Sequence, residues 1–517
     1  MMAHNDHVTE LVSKVGDRSW LWPAAALALI FVIHLPVLQL GFVGDDFEWW
    51  LETRYRMEDP ARALEPFSGI RLTNPLMLAP DQLVWGHWTP GWHLTSLLLH
   101  VVVAGLLYGV SRRVGFSAPA AAVVVVLWGT SPFTVFMARE VHVRHDALLL
   151  GCWLGLALIW PGPEQRWTVP RTAGAVALLV TSALTKESWV VLPGFAAVFD
   201  MAFRRRRFLP ALRTGLIWLI PSVLFVAAYV LRPAVESSYA SGYYSGGLRT
   251  ITKIPSTLAA FCGVAPWDTS SLRFGAVDAV ALVVLLAVTA IAFARRVPAL
   301  LVGVAFFVLP LVPLVPVPVM GVHYGYASFV GFLLMAGGVA QLGSERVATR
   351  SGRRLVRAGV AVAAAALFLS GAMTLVGEAA DAERRADANK RLVAEAEVFL
   401  AELPRDRPLV CVRLEAENVS AALIQRVEGL EKTYYHRGSY PYGLIGWAQL
   451  FSWVCDSDGG PLWREVAPDE AAEGPFAVVG HAPGGFILLD ANTQTVADEV
   501  ADWYGRNFPV RVIVPLK

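Results

Sequence analysis

The sequence predicts an α-helical polytopic membrane protein with about eleven spans. Its N-terminus lies inside, its C-terminus outside, and a small α/β domain follows the last span. Three observations predict this. Of 517 residues, 55% are hydrophobic, only 16% are charged and 18 are Trp, which is too apolar for a protein whose whole surface faces water. Apolar runs approaching the ~20 residues that cross a bilayer recur near residues 30, 101, 127, 153, 178, 196, 222, 285, 307, 333 and 366. The arginines then sort to one side, as the positive-inside rule requires. They follow the even-numbered runs as Arg112 and Arg113, Arg166 and Arg171, Arg204 to Arg207, Arg295 and Arg296, and Arg346 to Arg357.

The first run, Leu21 to Leu40, has no small-residue cleavage site after it and is expected to remain in the mature protein. The fifth and sixth runs are short, as tilted or half-inserted segments are. Alternation places the loop from 41 to about 90 outside, with Trp49, Trp50, Trp85, Trp88 and Trp92 suggesting short helices lying flat at the headgroups. Residues 233 to about 274 form another outer loop, in which Tyr239, Tyr243, Tyr244, Arg249 and Lys253 suit a mobile cover or an ordinary polar connection.

Composition changes near residue 380, dividing the chain into a membrane domain, 1–379, and an extracytoplasmic domain, 380–517. The second begins with an amphipathic helix that puts Leu392, Ala396, Phe399 and Leu400 on one side. PLVCVRL, PFAVVG, FILLD and VRVIVPL follow as strands, with a helix at Thr495 to Tyr504. The four cysteines exclude a disulfide scaffold: Cys152 falls in an apolar run, and Cys411 and Cys455 are placed to pair in an oxidising compartment. A net charge of +1 gives no reason to expect nucleic acid.

Four polar clusters fall on the predicted outer face: Asp45 and Asp46; Arg139, Glu140, His142, Arg144, His145 and Asp146; Lys186 and Glu187; and His323, Tyr324 and Tyr326. Each one alone also serves to end a span or to form a buried ion pair. Ionisable groups at the membrane are costly, so several on one side point to a functional cavity.

Four of these stretches together resemble a known family. TPGWHLTSLLLHVVVAGLLYGVSRR is similar to the second-span signature of TMTC-like protein O-mannosyltransferases and their bacterial relatives, through Trp92, His93 and His100, with Ser96 where Asn is usual. SPFTVFMAREVHVRHDALL matches a Pro-to-Gly-Arg-x-Asp segment through Pro132, Arg144 and Asp146, with Phe136 where a Glu is common. LTKESWVVLPGFAAVFD resembles the Ser-Lys-Glu motif through Lys186, Glu187, Pro193 and Asp200. HYGYASFVGF retains Tyr324, Tyr326, Gly331 and Phe332, with His323 in place of an Arg. The resemblance spans about residues 20 to 345, and the tail shows no 34-residue helix-pair period.

The resemblance implies a GT-C glycosyltransferase that moves a sugar from a polyprenyl- or dolichyl-phosphate donor to a hydroxyl of a glycan, lipid or protein acceptor outside the cytoplasm. It implies Asp45 or Asp46 as general base and Glu140 as a second acid. Arg144 and Lys186, with His323, would stabilise the donor phosphate. His93, His142, Glu187, Tyr324 and Tyr326 would contribute to substrate binding. A divalent metal, Mg or Mn, is a possible cofactor, held in part by Glu140; the other use of Glu140 is an ion pair with Arg139 or Arg144. A lipid-linked saccharide transporter or flippase, or an inactive scaffold that keeps the fold, is the alternative.

Overall fold

The computed structural model describes residues 19–42, 46–58, 73–230, 251–264, 274–315, 324–347 and 349–402, together with five strands between 409 and 515. The described residues form fifteen α-helices. They are α1 (Leu21–His34), α2 (Asp46–Glu58), α3 (Thr73–Trp85), α4 (Thr89–Arg113), α5 (Ala118–Gly129), α6 (Pro132–Arg139), α7 (Arg144–Ile159) and α8 (Val169–Thr185). Then come α9 (Leu192–Phe203), α10 (Phe208–Val230), α11 (Lys253–Phe261), α12 (Ala276–Arg295), α13 (Pro298–Val308), α14 (Gly325–Arg346) and α15 (Arg350–Glu402).

Every predicted apolar centre falls in one of these helices. Four segments are long and apolar enough to cross a membrane: Leu21–Gln39, Thr89–Arg113, Ala276–Arg295 and Gly325–Arg346. Six further apolar helices are shorter, including those at the fifth and sixth centres. Large aliphatic side chains face outward, with Ile217 70% and Val280 65% exposed. Facing water, such a surface would be strongly unfavourable; facing lipid it is not. The chain is an integral membrane protein.

Local chemistry sets the helix ends. Pro90 stands at the start of α4, Pro119 at the start of α5 behind the Ser117 cap, and Pro298 opens α13. The Asp278 carboxylate accepts the Gly275 N–H at 2.8 Å and the Ser256 hydroxyl at 2.7 Å, tying α12 to α11. Helices α13 and α14 pack through Gly303 and Gly331. A Cβ at Gly331 would stand 2.1 Å from the Phe307 nitrogen and 2.5 Å from the Gly303 oxygen, an approach only glycine allows.

The bundle has two chemically different ends. At one, Arg113 closes α4 and donates to the carbonyls of Ala157, Leu158 and Trp160, capping the C-terminus of α7. Beside it Asp200 accepts from Trp160 Nε1 at 3.0 Å, Thr214 at 2.7 Å and Arg206 at 3.0 Å, which fixes the α9–α10 turn. The other end gathers the N-termini of α2, α4, α7 and α14 with the C-terminus of α8, and carries the site.

The first loop forms α2 and α3, and its tryptophans divide: Trp88 is exposed, whereas Trp49, Trp50 and Trp92 are turned into the interior. Trp49 and Trp50 are buried, their rings tilted against those of His145 and His87. Beyond the bundle, α15 runs 53 residues without a break, where the sequence suggests a span and a separate amphipathic helix. Ala, Glu and Arg dominate the junction and favour helix throughout, so residue 380 lies inside one continuous element. Ala396, Phe399 and Leu400 are buried as the periodicity predicts; the side chain of Leu392 lies outside the described residues.

The C-terminal strands are β1 (Leu409–Val412), β2 (Trp463–Val466), β3 (Ala477–Ala482), β4 (Gly485–Asp490) and β5 (Val512–Pro515). They form one sheet in the order β2-β5-β1-β3-β4. β1 pairs parallel with β3 and antiparallel with β5, and β3–β4 is a hairpin with a bulge at Val478–Val479. β2, at the sheet's edge, is not among the sequence-predicted strands: its Arg464 and Glu465 hide the β-branched signal, as charges on an edge strand do. Thr495 to Tyr504, Cys455 and the segment from Tyr239 to Arg249 lie outside the described residues, so the expected helix, disulfide and cover do too.

Candidate functional site

The site is organised by five consecutive residues. A 3₁₀ turn, Val141–Val143, runs into α7, and its tight winding makes successive side chains diverge. His142 reaches Asp46, Arg144 reaches Asp81, His145 returns to the turn, and Asp146 reaches Lys186. Three regions distant in the chain are thereby joined by one short run.

Asp46 opens α2 and is 1% exposed. Its Oδ1 accepts two bonds from one residue, the His142 backbone N–H at 2.9 Å and His142 Nδ1–H at 3.0 Å. With the proton on Nδ1, the lone pair of the neutral tautomer lies on Nε2. It faces Glu140 Oε2 at 3.7 Å, while Arg139 donates to Glu140 Oε1 at 2.8 Å. Two acceptors face each other across that gap, so the arrangement is favourable when a proton lies between them. Burial pushes the Glu140 carboxyl above its ordinary range, against the pull of His142 and Arg139, and the nearby charge of Asp46 acts in the same direction as burial.

His145 Nδ1–H donates to the His142 carbonyl at 2.7 Å, and its Nε2 lies 3.3 Å from Asp146 Oδ2. Asp146 Oδ1 accepts from Lys186 Nζ at 2.6 Å. The Lys186 ammonium also lies 5.2 Å from the centre of the Tyr324 ring. Lys186 is extended between α8 and the next 3₁₀ turn, so the chain breaks its helix where the cation is presented.

Asp146, Lys186, Ser188, Tyr324 and Tyr326 line a narrow cleft that opens at its mouth, and its remaining walls include Leu149, Trp153 and Leu314. One side is charged and the other aliphatic. Beneath it Tyr326 donates its hydroxyl to His100 Nδ1 at 3.1 Å, because His100 Nε2–H is committed to the Gly129 carbonyl at 3.3 Å. The same carbonyl accepts from His34 Nε2–H at 2.8 Å, which anchors Tyr326 to α1, α4 and α5.

Arg144, expected on a donor phosphate, is instead an internal brace. It is 1% exposed. Its Nε donates to Ser96 Oγ at 2.6 Å, and its two terminal nitrogens donate to Asp81 and to the Trp92 carbonyl. All three nitrogens are used and the side chain does not line the cleft. Replacing Arg144 with lysine keeps the charge but meets only part of this set, since an ammonium lacks the planar fork. The expected loss is about 1–3 kcal/mol, read as a lower unfolding temperature in detergent; unchanged unfolding would show that these bonds do not hold the helix ends.

The structure thus forms two sets, Asp46 with His142 and Glu140, and Lys186 with Tyr324 and Tyr326 at the cleft, connected along the chain by residues 142–146. His93 is buried and bonds the Gly41 carbonyl at 3.3 Å, steadying the entry to the first loop without lining the cleft. Asp45, His323 and the side chain of Glu187 lie outside the described residues. Among the described residues no three His, Cys, Asp or Glu side chains are arranged to hold a metal ion. The Asp46 and Glu140 oxygens named above are engaged by His142 and Arg139, so the divalent metal remains an expectation of the sequence.

Sequence reasoning missed Asp81, Trp153 and Ser188. Asp81 carried a signal, as the only acid between Glu65 and Glu140; a lone carboxylate in so apolar a stretch needs a partner. Trp153 and Ser188 carried none, being ordinary residues for a span and a turn.

No protein-family model matches the chain, and no protein of described function matches it in sequence. Among solved structures it resembles ArnT from Cupriavidus metallidurans bound to undecaprenyl phosphate, with a TM-score of 0.48 at 15% identity, covering 96% of this chain and 98% of that one. The apo state of the same protein gives 0.46 at 15% identity, covering 96% and 97%. The Archaeoglobus fulgidus oligosaccharyltransferase tethered with an acceptor peptide gives 0.40 at 13%, covering 68% of this chain and 55% of that one. Likenesses this distant assign no activity; what the site can do follows from its own side chains.

Proposed function

We propose that this chain is a membrane glycosyltransferase that moves a sugar from a polyprenyl- or dolichyl-phosphate donor to an acceptor hydroxyl. One observation carries the reading: a cation in a half-apolar cleft is joined through residues 142–146 to a buried carboxylate–imidazole–carboxylate set. The cleft's aliphatic wall suits a prenyl chain and Lys186 suits its phosphate. Sorting of the arginines supports an extracytoplasmic site.

In this reading the acceptor oxygen attacks the anomeric carbon. The bond from that carbon to the phosphate oxygen breaks, and its electron pair leaves with the phosphate. Lys186 stabilises the charge gathering there. The acceptor's proton passes to the Glu140–His142 pair, whose side chains are each 14% exposed where that of Asp46 is fully buried. Asp46, set deeper, fixes the imidazole tautomer and stabilises the imidazolium that forms. Asp46 therefore acts on the acceptor through His142.

The purified full-length chain in nanodiscs, given a panel of polyprenyl-phosphate hexoses and pentoses with glycan, lipid and peptide acceptors, is expected to release free polyprenyl phosphate together with a glycosylated acceptor. Movement of intact lipid-linked sugar across the bilayer, with no cleavage of any donor, would overturn the reading in favour of a transporter.

A further inference from the structure

The cleft contains a donor that neither the fold nor the ion pair uses. Trp153 lines it from α7 and is 2% exposed, yet its indole N–H meets no acceptor among the described residues. Its ring is held in place, 5.0 Å from that of Phe195. A buried indole N–H normally finds a partner, and leaving one without is costly. Ser188, on the turn that follows Lys186, lines the same space and carries a second neutral donor. Two neutral donors and one cation thus line a space whose acid, Asp146, accepts from the cation through Oδ1 and turns Oδ2 toward His145. What the indole N–H lacks is an acceptor.

We propose that the Trp153 indole N–H and the Ser188 hydroxyl are positioning donors that, with Lys186, hold the phosphate group of a prenyl lipid in this cleft. This rests on the reading of the cleft as a lipid-phosphate site and adds to it what fixes the headgroup's orientation. An ammonium is a point charge with rotatable donors and sets no direction. An indole locked by packing does, so the phosphate would present its ester oxygen in one orientation relative to the Glu140–His142 pair. The aliphatic wall of Leu149 and Leu314 supplies the other half of the fit, taking the first prenyl unit.

The test uses the full-length protein in nanodiscs, labelled with ¹⁵N at the tryptophan indoles and titrated with farnesyl phosphate, farnesol or inorganic phosphate. The Trp153 indole resonance is identified by its loss in Trp153→Phe. It is expected to move downfield with farnesyl phosphate and to stay in place with farnesol. Trp153→Phe is expected to weaken farnesyl phosphate binding by about 10–100-fold, the range for a hydrogen bond to a charged group, and Ser188→Ala by about tenfold. Ser188→Ala keeps the affinity measurement available should the tryptophan variant fail to fold. Farnesyl phosphate binding unchanged in the variants, with no shifted indole, would overturn this inference while leaving the lipid-phosphate site standing. No binding of farnesyl phosphate to the wild type would overturn the functional reading and this inference with it. An equal response to inorganic phosphate would overturn the lipid as the source of the anion.

Discussion

Asp46→Asn is expected to lower sugar transfer by about two to four orders of magnitude, the span usual for a group that supports proton transfer, while farnesyl phosphate still binds. The carboxylate accepts both the backbone and the ring N–H of His142 on one oxygen. An asparagine keeps the shape, but it removes the charge that compensates the imidazolium and allows its amide to select the wrong tautomer. The pH profile gives an independent readout. Asp46's negative charge is one of the influences that raise the Glu140 carboxyl, so removing it lets that pKa fall. A base with a lower pKa is unprotonated at lower pH, and the rising limb of the residual activity should move to the acid side. Asp46→Asn and His142→Ala should also combine less than additively, since both remove the same unit. Full activity in Asp46→Asn with an unmoved pH profile would show that the set has no part in proton transfer.

The expected fold and the candidate site were legible in the sequence to different depths, for a physical reason. Spans are visible because lipid demands long apolar runs, and every expected centre coincides with a helix. Which end of each helix holds polar groups is equally visible, since ionised residues collect only where apolar runs stop. What a polar residue does there depends on the partner that reaches it across the fold. Arg144 reads as a phosphate ligand until Asp81, 63 residues earlier, is seen to occupy it. Tyr326 reads as a surface ligand, yet its hydroxyl is turned inward to His100, 226 residues away. Trp49 and Trp50 read as interfacial anchors because aromatics favour the headgroup layer, but a protein interior offers them more contact. In the tail, strands with β-branched runs were legible, and the charged edge strand Trp463–Val466 was not.

Lys186→Gln is expected to lower transfer by about 10²–10³-fold, as loss of one charge-stabilising donor does, and to abolish the preference for farnesyl phosphate over farnesol. The complication is that Lys186 also has a structural partner. Its ammonium neutralises Asp146 in a largely buried pair, and removing one member of such a pair costs about 3–5 kcal/mol. Lost activity alone would therefore not separate a missing ligand from a loosened fold. Asp146→Asn separates them. It frees the ammonium from its internal counter-ion, so an incoming phosphate no longer competes with a carboxylate, and farnesyl phosphate should bind more tightly than to the wild type. In the double variant, Lys186→Gln with Asp146→Asn, the uncompensated charge is gone and the unfolding temperature should recover. Binding should not, because the cation is still missing. Recovery of binding along with stability would place the phosphate elsewhere in the bundle, whereas stability without binding assigns Lys186 to the ligand and Asp146 to holding it until the ligand arrives.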